Sequence, residues 1–382
     1  MIIGCPKEIK EQEFRVGMTP GSVAEVVKNG HSVLIETGAG LGSGFGDLDY
    51  TVAGAIICQT AEEVWSQSDM IVKVKEPKLV EIKMMTPNQI IFTYLHLAAE
   101  PILTYELMNK NVIAIAYETI TDDKGALPLL APMSEVAGRL APQVGSWAMQ
   151  KANGGCGKLM GGVPGVAPAK VLVIGGGIVG TNAARVAAGM GADVFVLDRS
   201  IERMRYLDDT YRGVFNTGYA IDMVTKELAR EADMVIGAVL VPGAAAPKLL
   251  DKETISEMKT GSVLVDVAID QGGCFETSRV TTHASPIYEE YGVVHYCVGN
   301  MPGAVAQTST QALNNATLPF ILQLANKGAK IALEDNPHLM NGLNVAHGEI
   351  TYEAVVDAMN DRRLVQRGQE KPLNYVDPRT IL

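Results

Sequence analysis

The chain has 382 residues, 47% hydrophobic and 20% charged, the composition of an ordinary folded protein with room for two domains. Its 32 Lys and Arg against 43 Asp and Glu leave a net charge of −11 without any basic block, which disfavours nucleic acid and anionic membrane surfaces as partners. No run of about 18 apolar residues is present to span a bilayer, and the opening MIIGCPKEIKEQ meets charge at Lys7, too early for a signal-peptide core.

In chain order, short apolar runs predict strands at residues 2–4, 33–36, 55–58, 70–74, 90–94 and 112–117. Helix-like segments at 20–29 and 101–109 alternate with them, the signature of βαβ units in a parallel sheet. Residues 132–152 read as a long helix kinked at Pro142, and 154–168 as a glycine-rich linker. Six further strands follow at 171–174, 193–197, 214–217, 234–239, 262–266 and 293–296, the number in a complete doubly wound dinucleotide domain. The chain then turns helical over 309–327, is weakly patterned over 339–359, and ends in an extended arm over 366–382. The expected fold is α/β with two domains. One is a doubly wound, flavodoxin-like substrate domain of residues 1–131, completed by 305–382. The other is a Rossmann domain of residues 132–304, with a cleft between the two.

The stretch VLVIGGGIVGTNAARVAAGMGADVFVLD carries the most specific signal. Gly175, Gly177 and Gly180 stand at G-x-G-x-x-G spacing between an apolar strand and a helix. The first permits the tight turn, the second lets a pyrophosphate approach the main chain, and the third lets the helix pack close to the sheet. The helix N-terminus offers N–H groups and a positive dipole end to phosphates. Asp198 follows the next apolar run, 18 residues past the last glycine, where a carboxylate can accept bonds from the ribose hydroxyls of NAD.

Ligands of parallel sheets bind outside the carboxyl ends of the strands. Lys75 follows MIVKV, His96 follows IIFTYL, Asp270 follows LVDVAI, and Arg15 lies in the loop EQEFRVGMTP. Each has a plain reading by itself: Lys75 and Arg15 as solvated cations, His96 as a hydrogen-bonded structural histidine, Asp270 as a turn cap. Their joint placement at one cleft raises the functional reading above these. The five cysteines, Cys5, Cys58, Cys156, Cys274 and Cys297, are odd in number and form no C-x-x-C pair. That argues against a disulfide framework or zinc site and for a reducing, cytoplasmic location. Cys274 and Cys297 read as packing residues, Trp65 and Trp147 as core or interface.

The segments GCPKEIKEQEFRVGMTP, IVKVKEP, FTYLHLA, GGVPGV, VLVIGGGIVGTNAA, VIGAVLVPGAAAPKL, VDVAIDQGGCFETSRVTTH and NMPGAV resemble the alanine dehydrogenase family from Met1 to Tyr352. The resemblance implies oxidative deamination of L-alanine by NAD to pyruvate and ammonium, the reverse amination, and a homohexamer. It implies Arg15 and Lys75 as ligands of the substrate carboxylate and His96 with Asp270 as the catalytic pair. It places Ser134, Ile178, Val179, Asp198, Arg203, Val239, Leu240, Val267, Asp270, Arg279, Val298 and Met301 at cofactor-contact positions. The chain departs from the family pattern at Ala220, where serine is usual, at Ala306 and Gln307 in NMPGAVAQTST, and at Arg199, which bears on NAD against NADP.

The residues suit the chemistry independently. A cationic pair holds an amino-acid carboxylate, Arg15 bidentately and Lys75 as a point charge. An imine must be hydrated near neutral pH, which suits histidine. Asp270 can stabilise the iminium cation. Two rival readings are the nucleotide-binding subunit of a proton-translocating transhydrogenase, whose fold is similar, and a non-enzymatic NAD-binding module. The first needs membrane partners; the second has no use for Arg15, Lys75 and His96 together.

Overall fold

The computed structural model describes residues 1–239, 246–366 and 373–381. The chain divides into two units, Met1–Met133 with Val305–Leu382, and Ser134–Ala304. In chain order the described strands begin with β1 (Ile2–Cys5), β2 (Ser32–Glu36), β3 (Ile56–Cys58), β4 (Met70–Val72), β5 (Ile90–Thr93), β6 (Ile113–Ala116), β7 (Lys170–Ile174) and β8 (Asp193–Asp198). They continue with β9 (Asn216–Tyr219), β10 (Met234–Gly237), β11 (Val263–Asp266), β12 (Ile287–Glu290), β13 (Val293–Tyr296), β14 (Leu343–Ala346) and β15 (Glu349–Ile350).

The first unit holds an eight-stranded sheet in the order β15-β14-β6-β5-β4-β1-β2-β3. Strands β1 to β6 are mutually parallel. In β1, β2, β4, β5 and β6 side chains are buried in continuous runs, Ile3, Ile35, Ile71, Ile91 and Ile115 all at 0% exposure, as in sheets covered on both faces, whereas the edge strand β3 leaves Ile56 exposed. Read from β3, the parallel strands run 3-2-1-4-5-6. That is the order of dinucleotide-binding sheets and replaces the flavodoxin-like order expected from sequence. The chain leaves β1 toward one edge and β4 toward the other, so their carboxyl ends flank the switch point.

The weakly patterned tail folds back onto this sheet. Strand β14 pairs antiparallel with β6, with a bulge between Leu343 and Val345, and β15 pairs antiparallel with β14. Four residues broken by a bulge are too few for a legible period. The expected terminal arm is only partly extended. Gln366 ends the helix Glu353–Gln366, Ile350 bridges Tyr375, and Pro378–Ile381 is a short helix.

The second unit holds seven strands in the order β12-β13-β11-β10-β7-β8-β9. Its parallel strands repeat 3-2-1-4-5-6 counted from β7, with the switch point between β7 and β10. Strand β12 adds an antiparallel edge on β13, Ile287 facing Tyr296; its IYEE sequence gave no apolar run to find. The third parallel strand occupies Asn216–Tyr219 rather than 214–217, because Val214 belongs to a turn bonded to the Tyr211 carbonyl. Pro142 is accommodated inside the single helix Ala131–Ala148. The predicted helix of 309–327 runs from Ala306 to Asp335, interrupted at Gly328 with φ 75° and ψ 163°. No helix among the described residues is long and apolar enough to cross a membrane.

Candidate active site

In the second unit the glycine turn leaves β7 at its switch point. Gly175 has φ 103°, a conformation that side chains rarely adopt. Gly177 is the N-cap of the helix Ile178–Gly189, and a Cβ added to it would meet nothing within 4 Å. At Gly180 a Cβ would lie 1.7 Å from the Gly175 carbonyl oxygen. The helix therefore presses on the turn at Gly180 and leaves open space above Gly177, the cradle a diphosphate requires at a helix N-terminus.

Asp198 ends β8 and braces the turn from the side. Its Oδ2 accepts the Gly176 N–H at 2.7 Å and its Oδ1 the Ser200 N–H at 2.7 Å. Arg203, on the helix Ile201–Tyr211, donates through Nε to the Gly176 carbonyl and through Nη2 to Thr181 Oγ1 at 2.7 Å. Its guanidinium lies 4.7 Å from the centre of the Tyr206 ring. Arg203 thus holds the turn from beside it. A pocket of about 440 Å³ opens here, lined by Ser134, Gly175, Gly177, Ile178, Val179, Asp198 and Val239 among others. Arg199 and Ala220, two departures from the family pattern, also line it. The residues present fit a dinucleotide.

A second group forms beyond β11. Asp270 stands in the turn Ile269–Gln271 and is exposed. Its carboxylate accepts the Asn300 N–H, at 3.0 Å to Oδ2, and so joins the segment carrying Val298 and Met301, both buried. The turn is underpinned by Asp266, fully buried at the end of β11, which accepts the N–H groups of Ala268 and Cys274 and the Ser278 hydroxyl. Lys248, not picked out from sequence, donates to the carbonyls of Gly272, Gly273 and Phe275. Val267 continues the ladder to Gly237. Arg279 lies over the Tyr288 ring at 3.6 Å and pairs with Glu290 at 3.1 Å. Leu240 lies outside the described residues. Burial raises the thiols of both Cys274 and Cys297, the latter to about 11, as suits packing residues. Trp65 is in the core at 0% exposure, and Trp147 is exposed.

In the first unit, the loops after β1, β4 and β5 supply Arg15, Lys75 and His96. Arg15 is 2% exposed, and Glu13 takes its Nε at 2.7 Å and Nη2 at 2.6 Å. Its Nη1 faces Met133 Sδ at 3.1 Å. Burial opposes the guanidinium charge, but Glu13 outweighs it and raises the pKa. The bidentate face is thus turned on Glu13. Lys75 is half-buried, and its N–H donates to Glu8 Oε1 at 3.2 Å. The same oxygen accepts the Val74 N–H at 2.7 Å.

Beneath this segment lies a buried charge cluster that sequence reading missed. Lys73 Nζ meets Glu8 at 3.0 Å and Glu81 at 2.8 Å, with the lysine side chain at 0% exposure. Burial opposes the ammonium, yet the two carboxylates raise its pKa; burial likewise raises that of Glu8. The signal was available in IVKVK, where a strand buried on both faces places a lysine inward and so demands a partner.

His96 sits at φ 51° and ψ 37°, left-handed for a non-glycine residue. Its ring stacks on that of Tyr94, 6.0 Å between centroids and 6° from parallel. Tyr94 is anchored through its hydroxyl to the Leu129 carbonyl, and burial raises its pKa. Glu118, just past β6, accepts the N–H groups of Leu95 at 3.1 Å and His96 at 2.5 Å, and lies 3.8 Å from His96 Nδ1. The acid ending IAIAYE gave the only sequence hint of Glu118.

The comparisons with known proteins agree over nearly the whole chain. Residues 4–137 match the family model "Alanine dehydrogenase/PNT, N-terminal domain", and 141–353 match "Alanine dehydrogenase/PNT, C-terminal domain". The chain is 57% identical over 358 residues to an alanine dehydrogenase of Halomonas elongata, covering 94% of this chain and 96% of the relative. It resembles a solved L-alanine dehydrogenase with a TM-score of 0.92 at 51% identity, covering 94% of this chain and 99% of that one. A transhydrogenase structure from Sinorhizobium meliloti shares the fold, with a TM-score of 0.79 at 24% identity over 93% of this chain and 100% of that one.

Proposed function

The chain belongs to the alanine dehydrogenase family, and from that premise we propose how its residues divide the reaction of an NAD-dependent amino-acid dehydrogenase, L-alanine to pyruvate, ammonium and NADH. The observation that carries the reading is the placement of Arg15 and Lys75 in the loops after β1 and β4, the two strands that flank a topological switch point. Two cations there suit one small carboxylate. Arg15 orients it as a fixed guanidinium charge, and Lys75 adds a compact charge.

Gly175, Gly177, Gly180 and Asp198 would hold NAD, with Ser134, Ile178, Val179, Arg203, Val239, Val267, Arg279, Val298 and Met301 in support. When bound, NAD supplies the acceptor for the hydride leaving the alanine Cα. His96 takes the proton of the substrate ammonium before that step and releases it to solvent, then takes one from the attacking water and returns it to the departing amine. Asp270 stabilises the iminium charge and serves the loop beside the nicotinamide ribose. His96→Ala should cost about 10²–10⁴-fold in kcat while NADH still binds; Asp270→Asn separates charge from packing. NADH formation from a panel of L-amino acids at alkaline pH tests the whole: L-alanine should be turned over fastest, and NADH binding without any alanine turnover would overturn the reading.

We further propose a cytoplasmic homohexamer. Exposed apolar side chains such as Leu48 at 75% and Val52 at 81% offer contact surface. Light scattering after gel filtration measures the mass.

A further inference from the structure

The three residues proposed to meet substrate in the first unit share one feature. The main-chain N–H of each is accepted by a glutamate: Arg15 by Glu13 at 3.1 Å, Lys75 by Glu8 at 3.2 Å, His96 by Glu118 at 2.5 Å. These carboxylates are withdrawn from water, with side chains 0%, 2% and 14% exposed for Glu13, Glu8 and Glu118. Carboxylates around a site for an anion would repel it, and burying them is costly. The same cost supports a use when the oxygens are turned inward on main-chain N–H groups and buried cations.

We propose that Glu8, Glu13 and Glu118 are positioning residues, each fixing through main-chain bonds, and at Glu13 also through the guanidinium, the one residue that touches substrate. The proposal rests on the site reading given above. At Glu118 the N–H groups of Leu95 and His96 converge on a single oxygen, Oε1. Convergent N–H groups around a left-handed residue form an anion nest, and the nest holds His96 in a conformation it would otherwise rarely adopt. At Glu8 one oxygen gathers the N–H groups of Val74 and Lys75 while the other meets Lys73, itself locked by Glu81. The loop that ends in Lys75 is therefore pinned by its main chain, and the lysine side chain leaves from a fixed point. At Glu13 the carboxylate binds both ends of Arg15, its N–H and its guanidinium.

The three act on different halves of catalysis, so their loss should read differently. A misplacement of about 1 Å costs on the order of 100-fold. Glu118→Ala should lower kcat for pyruvate amination about 10- to 100-fold with little change in the pyruvate KM, because it works through the proton carrier. Glu8→Ala and Glu13→Ala should instead raise the pyruvate KM by a similar factor. NADH affinity, read by fluorescence titration, should stay as in the parent protein for all three. Glu118→Gln keeps an acceptor oxygen and should recover kcat to within about threefold of the parent. Where Glu8→Ala yields no folded protein, Glu8→Gln is measured and its pyruvate KM should lie closer to that of the parent than to that of Lys75→Ala. Lys75→Ala and His96→Ala are run in the same assay. Loss of activity in those two with parental kcat and KM in the folded glutamate variants would overturn the proposal alone. A Glu118→Gln variant as impaired as Glu118→Ala would also overturn it. Full activity in Lys75→Ala and His96→Ala would overturn the site reading and the proposal together.

Discussion

Gly177 and Gly180 belong to one motif, yet adding the same methyl group to each should damage different properties. At Gly180 the new Cβ would lie 1.7 Å from the Gly175 oxygen and 3.1 Å from Val173 Cγ1. Real Cβ contacts essentially never fall under 3.0 Å, so the helix and the turn must part by at least 3.0 − 1.7 = 1.3 Å. Neither side can yield cheaply, since one is a helix packed on the sheet and the other a main-chain carbonyl. Overpacking of this kind costs about 1–3 kcal/mol or more. In a domain of this size each kcal/mol corresponds to about 2–4 °C in Tm. Gly180→Ala should therefore melt several degrees below the parent protein. Gly177→Ala meets nothing within 4 Å, and its φ of −66° is one alanine adopts freely, so its Tm should be almost unchanged. Its methyl group would stand where the diphosphate approaches. Losing one or two charge-assisted hydrogen bonds there costs about 1.5–3 kcal/mol each, or at least 10-fold in NADH affinity. Thermal unfolding without nucleotide and fluorescence titration with NADH measure the two effects separately. Parental NADH affinity in Gly177→Ala, or a parental Tm in Gly180→Ala, would refute the reasoning for that glycine.

Other perturbations test other parts of the molecule. Asp198→Gly removes the charge that would repel a 2′-phosphate, so the ratio of kcat/KM for NADP over NAD should rise about tenfold or more; an unchanged ratio would assign the preference to Arg199 or another group lining the pocket. At Asp233 burial works against ionisation, but bonds from Lys158, the Lys170 N–H and Lys259 prevail and hold its pKa below the usual carboxylate value. The unfolded carboxylate thus takes up a proton before the native one. Its stabilisation is complete above about pH 4–5 and is lost as pH falls through the native pKa. Asp233→Asn should accordingly flatten the acid limb of a Tm against pH curve, and a curve parallel to the parent's would count against the pairing. Burial pushes the Cys5 thiol up to about 12 and that of Cys297 to about 11, whereas Cys156 is only half-buried. Mild alkylation of the native protein at pH 8 should therefore label Cys156 first, as read by peptide mass spectrometry; early labelling of Cys5 would contradict its burial.

How much could be read in advance follows from the range of the physics involved. Most parallel strands were legible because burial on both faces makes them unbroken apolar runs; β9, with the partly exposed sequence NTGY, is the exception and was placed two residues early. The glycine turn was legible because three steric demands fall within six residues. The antiparallel strands β12, β14 and β15 were not: the edge strands β12 and β15 are short and half-polar, β14 is four residues broken by a bulge, and pairing with a neighbour rather than its own pattern makes each a strand. The strand order of the first unit was also beyond reach, because it depends on which crossovers pass which edge. Among the candidate residues, Lys75, His96 and Asp270 stood out as polar residues just past strands, and Arg15 as a cation in the loop after the first strand. Glu8, Glu13 and Glu118 did not, because an acid in a loop usually faces water, and only the folded chain turns these onto main-chain N–H groups. Arg203 was expected at a cofactor contact, and its bonds to Gly176 and Thr181 give it a bracing part that spacing cannot express.

Both sheets change direction between their first and fourth strands, so the chain contains one kind of crevice twice. In the nucleotide unit an anion would be received by main-chain N–H groups, which no substitution other than proline deletes. In the other it would be received by side chains, each one codon change from another residue. Drift and selection therefore weigh unequally on the two halves. The crevice of the first unit can be retuned to a new small acid within a few mutational steps, while that of the second keeps its grip on a diphosphate even where side chains such as Asp198 change which coenzyme it prefers.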